Sequence, residues 1–156
     1  MVRKTTLVIL SLMVLAGSSL NTALGADNTS ALAPDTTSAA ISAGHKIVAY
    51  YLYMKPRCET CLNIEKYSKE AIESAFADEL KSGRVEWHAY DTDLPEYEHY
   101  WKDFKLESKS LVIVEMENGK QVRSKICEQV WDLVSDKPEF EKYVQTEVRA
   151  YLTGGK

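Results

Sequence analysis

Apolar positions along this chain follow two different periods. From His45 to Tyr53 they run almost without interruption and are rich in β-branched and aromatic side chains, the pattern of a buried central strand. Over residues 59–80 the period lengthens: Cys61, Ile64, Ala71, Ile72, Ala75 and Leu80 fall near helical spacing, and Ser82-Gly83 closes the helix. Residues 84–90 return to a strand, with Val85, Trp87 and Ala89 on one side and His88 on the other. Residues 95–104 read as a short helix, with Asp93 as its N-cap and Pro95 where a helix start tolerates proline. Residues 111–116 form a third strand. Asn118-Gly119 is a two-residue hairpin turn, and 121–126 return as the fourth strand. Residues 128–134 are a short helix or turn. The final helix covers 138–152, with Asp136 near its start and an apolar stripe of Phe140, Tyr143, Val144, Val148 and Tyr151/Leu152. The order β-α-β-α-β-β-α predicts an α/β domain with a central four-stranded mixed sheet: two parallel crossover units, a hairpin and a packing helix.

The residues ahead of this domain have a different character. The chain starts Met-Val-Arg-Lys, runs through an apolar stretch from Leu7 to Ala16, and reaches small residues ending Ala23-Leu24-Gly25. Basic, apolar and then small is the order of a secretory signal, so 1–25 are expected to be a signal peptide cleaved after Gly25 or Ala26. The apolar run is shorter than the roughly 20 residues a membrane span needs, so no stable span is expected after cleavage. Ser18 stands where a lipoprotein box would carry its cysteine, which argues against a lipid anchor. Residues 26–44, rich in Ala, Ser and Thr, read as a flexible linker, leaving 45–153 as one small domain. The signal has a bacterial look, and the expected destination is the periplasm, where disulfides persist. The net charge of −4 is spread with both signs mixed, and no basic stripe marks a nucleic-acid partner.

The candidate chemistry is concentrated at Cys58-Glu59-Thr60-Cys61, at the junction of the first strand and the first helix. The strand carries the pair to the sheet edge, and the helix N-terminus directs free N–H groups at the first sulfur and favours its thiolate. A zinc site would need a second Cys/His pair at matching spacing. The expected reaction is thiol–disulfide exchange: Cys58 attacks, and Cys61, one turn further in, resolves. Arg57, Glu59 and Thr60 are the modulating neighbours. Arg57 is expected to favour the Cys58 thiolate and Glu59 to oppose it, which gives a middling-to-reducing pair. Cys127 is the third cysteine, and two readings of it stay open. It is a buried thiol acting as a small hydrophobe. Alternatively, it lies just past the fourth strand and joins Cys58 and Cys61 as a resolving thiol or as a three-sulfur site for a soft metal or arsenite. The strand, Cys-x-x-Cys and helix layout resembles a thioredoxin-like site, and that resemblance implies that the end of the fourth strand shares the sheet edge of Cys58. His88 reads as a core histidine, His99 as a surface one, and His45 lies at the linker boundary. Asp91, Asp93 and Glu96 read as loop caps, and the Tyr50-Tyr51-Leu52-Tyr53 cluster as packing.

With these residues in view, the domain resembles the thioredoxin-like superfamily along nearly its whole length. More closely, it resembles the small exported family of ArsF-like subunits of a nitrophenyl-compound nitroreductase. That likeness rests on Arg57-Cys58-Glu59-Thr60-Cys61 with Ile64-Glu65, Val85-Glu86-Trp87, Pro95-Glu96 through His99-Tyr100, Lys109-Ser110-Leu111-Val112, Val130 through Val134, and Glu147 through Leu152. The resemblance implies a thioredoxin-like fold and a redox-active Cys58–Cys61 disulfide. No flavin or nicotinamide motif is present, so no cofactor is expected and the chain relays electrons at most. Three departures from ordinary thioredoxins stand out. The Trp-Cys-Gly-Pro-Cys pattern is replaced by residues 57–61, the position of the buried acid beneath the site falls at Leu52, and no proline lies between Pro95 and Pro138, where one should directly precede the third strand. Lys109, Ser110 and Leu111 occupy that substrate loop instead. A dedicated redox partner protein is therefore expected rather than a broad range of clients. The alternatives are binding or transfer of a soft metal or metalloid by the same thiols, or a non-catalytic accessory subunit of a redox complex.

Overall fold

The computed structural model describes residues 44–154, which lie in one compact unit. The expected signal peptide, and the expected linker apart from Gly44, lie outside the described residues. No helix among the described residues is long and apolar enough to cross a membrane.

The first strand, β1, is His45–Tyr53. The expected long helix is divided in two, α1 at Glu59–Ala75 and α2 at Ala77–Ser82. The break is at Phe76, whose backbone leaves the helical region (φ −133, ψ 34) while its ring, 3% exposed, turns into the core. Gly83, at φ 75, ends α2 in the left-handed conformation that glycine adopts without a Cβ clash. Strand β2 is Val85–Asp91. The next helix, α3, is only His99–Asp103, shorter than expected. Asp93 does not cap it. Its carboxylate accepts a hydrogen bond from the Lys55 N–H (2.8 Å), so residues 92–98 remain turns. Strands β3 (Ser110–Glu117) and β4 (Lys120–Ile126) form the expected hairpin. Asn118 and Gly119 are both at positive φ (51 and 78), as a two-residue turn of this hand requires. A short α4 (Val130–Leu133) leads to α5 (Lys137–Leu152). The Asp136 side chain caps α5 by accepting from the Glu139 N–H at 3.3 Å.

The sheet order is β2-β1-β3-β4, with β1 parallel to β2 and antiparallel to β3, and β3 antiparallel to β4. The first crossover unit is parallel as expected, whereas the second is not, because β3 enters the sheet beside β1 in the opposite direction. Alternation along β1 divides the core. Ile47, Ala49 and Tyr51 face Ile64, Ala71 and Ile72 of α1 and Phe140, Val144 and Val148 of α5. On the other face, Leu52 packs with Val112 and Val114 of β3 and with Phe104 and Leu106. This connectivity and strand order constitute a thioredoxin-like α/β fold. The fold places the C-terminal end of β1 and the N-terminus of α1 at the start of β3.

Candidate functional site

The turn between β1 and α1 is braced from the β2 side. The Thr92 N–H and hydroxyl both donate to the Tyr53 carbonyl, at 2.7 and 2.8 Å. The Lys55 ammonium pairs with Asp91 at 2.8 Å, which holds the Asp91 carboxyl below the usual range, chiefly through that hydrogen bond. Asp91 and Asp93 thus secure the loop that contains the cis Lys55–Pro56 bond. Cys58 follows as the N-cap of α1, its sulfur accepting from the Cys61 N–H at 3.2 Å. Cys58 and Cys61 are disulfide-bonded, with Cα atoms 5.1 Å apart. Cys58 is exposed, whereas Cys61 is 1% exposed. The buried Tyr51 hydroxyl donates to the Cys61 carbonyl at 2.8 Å and ties β1 to the first turn of α1.

Arg57 takes a different place from the one expected. Its guanidinium lies over the Tyr53 ring, 4.0 Å from the centroid, and pairs with Glu65. Its charge is therefore matched locally and is not a free cation for Cys58. Glu59 and Thr60 are exposed on the first turn of α1. Of the loop residues Lys109, Ser110 and Leu111, only Lys109 lines the cleft over the cysteines. Ser110 is buried with its hydroxyl donating to the Ser108 carbonyl at 2.8 Å, and Leu111 lies in the core opposite Tyr51. The Lys109 ammonium is 3.7 Å from Cys61 Sγ and also donates to the Pro56 carbonyl. The Trp131 indole N–H donates to the Lys109 carbonyl at 3.2 Å. The cleft, about 340 Å³, is walled by Met54, Trp101 and Trp131, with Glu107 at its margin.

Cys127 is not brought into a cluster with the pair. Its N–H donates to the Leu111 carbonyl at 2.8 Å, so its backbone sits on the expected sheet edge. Its side chain, 1% exposed, packs in the core with Val130, Phe140 and Val144. Burial, together with the nearby Glu147, pushes its thiol up to about 12. Among the described residues no group of three or more His, Cys, Asp or Glu side chains is placed to hold a metal, so the three-sulfur arrangement of Cys58, Cys61 and Cys127 is not formed. The histidines are also apart. His45 pairs with Glu115 at 2.7 Å, His88 stacks on Tyr50 and Tyr90, and His99 is exposed against Tyr100.

Sequence reasoning missed Met54, Trp101 and Trp131 as cleft walls, and Tyr51 as a tether. Tyr51 carried a signal: a tyrosine on the helix-facing side of a buried strand needs a partner for its hydroxyl. The tryptophans carried none, because each stands in a short segment whose aim depends on the tertiary fold.

No family model matches the chain, and no curated protein matches it. Solved structures similar to it include thioredoxins of low sequence identity. That of Fasciola hepatica is 15% identical, covering 71% of this chain and 82% of the other with a TM-score of 0.40. That of Thermus thermophilus is 13% identical, covering 71% and 80% with a TM-score of 0.41. That of Malassezia sympodialis is 16% identical, covering 63% and 80% with a TM-score of 0.39. By its own topology the chain has a thioredoxin-like fold, with the Cys58–Cys61 disulfide at the N-terminus of α1.

Proposed function

We propose that this protein is an exported thiol–disulfide oxidoreductase that exchanges electrons with one dedicated partner protein through Cys58 and Cys61. The observation that carries the reading is the asymmetry of the disulfide: one sulfur is exposed at a helix N-terminus and the other is enclosed behind it. In the reduced protein the exposed Cys58 thiolate attacks a partner disulfide and one partner sulfur leaves. Cys61 then attacks Cys58 Sγ, the internal disulfide forms, and the second partner sulfur is released. Two electrons pass to the partner, and each released thiolate takes its proton from solvent. The reverse sequence oxidises a partner dithiol. The aromatic walls of the cleft and the lysine before β3 favour a chosen partner over general clients. The expected signal at 1–25 supports a bacterial periplasmic location.

The resolving role of Cys61 is tested with glutathione disulfide. The Cys61→Ser variant is expected to stop as a glutathione adduct on Cys58, whereas the parent protein goes on to the internal disulfide. A parent protein that also stops at the adduct contradicts the reading.

A further inference from the structure

We propose that Lys109 is a catalytic residue of this exchange: its ammonium holds Cys61 as the thiolate that resolves the mixed disulfide. The proposal rests on the reading of Cys58 and Cys61 as an exchanging pair and names the group that makes the inner sulfur competent.

Cys61 is almost fully enclosed, so solvent stabilises its thiolate only weakly. Leu52, beneath the site, is apolar and packs on the opposite sheet face, where it can neither take nor give a proton. The Lys109 ammonium reaches Cys61 Sγ at 3.7 Å, and its second hydrogen bond, to the Pro56 carbonyl, holds it on that side of the cleft. Its backbone is fixed on both sides. The Trp131 indole holds the Lys109 carbonyl, and the next residue, Ser110, starts β3 in register with Leu52. Among the described residues lining the cleft Lys109 is the one cation and Glu107 the one anion. Other charges near the pair are Glu59, exposed on α1, the mutually matched Arg57 and Glu65, and Lys55 of the preceding loop, paired with Asp91. Cys127 provides an internal contrast. It is also buried, its neighbouring Lys125 is paired with Glu147 at 2.6 Å, and its thiol is pushed up to about 12. An ammonium on the sulfur is the ordinary physical remedy for that penalty.

The step balances without an added cofactor. Cys61 loses its proton to solvent, and its thiolate, paired with Lys109, attacks Cys58 Sγ. The bond between Cys58 and the foreign sulfur breaks, and the electron pair leaves with that sulfur.

The test uses the full chain in a Cys127→Ala background, reduced, freed of reductant and mixed with the neutral disulfide dithiodipyridine. The first thiopyridone released reports attack by Cys58, and the second reports resolution by Cys61. Lys109→Met is expected to slow the second release about tenfold, equivalent to ~1.4 kcal/mol of barrier, with the first unchanged and the pH midpoint of the second moved upward. Lys109→Arg is expected to recover most of that rate. An unchanged second step in Lys109→Met, equal slowing of both steps, or equal loss in the Arg and Met variants would overturn the proposal. If the parent chain releases one thiopyridone and never forms the internal disulfide, the exchange reading fails along with it, an outcome that intact mass separates from the others.

Discussion

A single residue of alternation decides the fate of Cys127. Ile126 ends β4 and packs on the Leu52 face, so the next side chain turns to the opposite, helix-covered face. The strand direction implied by the thioredoxin-like resemblance does place the Cys127 backbone on the active edge, as the hydrogen bond to Leu111 records. Where the side chain points is not contained in that order, and the core takes it. Native Cys127 should therefore resist iodoacetamide at about pH 8 and react once the chain is unfolded, because alkylation requires thiolate and access together. Rapid alkylation of the folded protein would contradict the burial. The same limit applies at 109–111: the sequence marks a loop facing the cysteines, but only the register of β3 sends Ser110 and Leu111 away and leaves Lys109 toward Cys61.

Helix boundaries were legible where a side chain caps them and lost where tertiary demands intervene. Asp136 caps α5 as its position suggests, and Asp136→Ala should cost about 1 kcal/mol, read as a lower urea midpoint with an unchanged slope. No change in the midpoint would show that solvent replaces the cap. The apolar stripe of 59–80 continues past Ala75, yet the helix stops because burying Phe76 turns the backbone out of α1. Asp93 has the chemistry of a cap, but the Lys55 N–H claims its carboxylate, and α3 starts late and short. Tyr51 links β1 to α1 through the Cys61 carbonyl. Tyr51→Phe should cost about 1 kcal/mol, the net worth of one buried hydrogen bond, and denaturant titration of the two proteins measures it.

Across the described residues, several acids are buried or half-buried in their neutral forms. Burial, with smaller contributions from Glu65 and Tyr53 and opposition from Arg57, pushes Tyr51 up to about 12. Cys127 rises to the same region, and burial raises Tyr50 and Tyr143 as well. Each of these groups holds its proton more tightly folded than unfolded. Their contribution to stability is therefore complete below about pH 9 and is lost as pH rises through the unfolded and then the folded values. Urea midpoints should hold steady to about pH 9 and fall from there to about pH 12, less steeply in Tyr143→Phe. A midpoint that stays level to about pH 11 would mean that these groups are not buried neutral. At this scale the sequence is most informative, since the order of elements along the chain, the hairpin and the packing helix all follow from period and turn chemistry.

The central claim is that Cys58 and Cys61 form a reversible dithiol–disulfide pair, and intact-mass spectrometry across a graded glutathione series tests it most directly. The account predicts one reversible two-hydrogen change, mapped to Cys58 and Cys61, with Cys127 reduced throughout. A pair that remains oxidised under strongly reducing glutathione, or a change that involves Cys127, would contradict it.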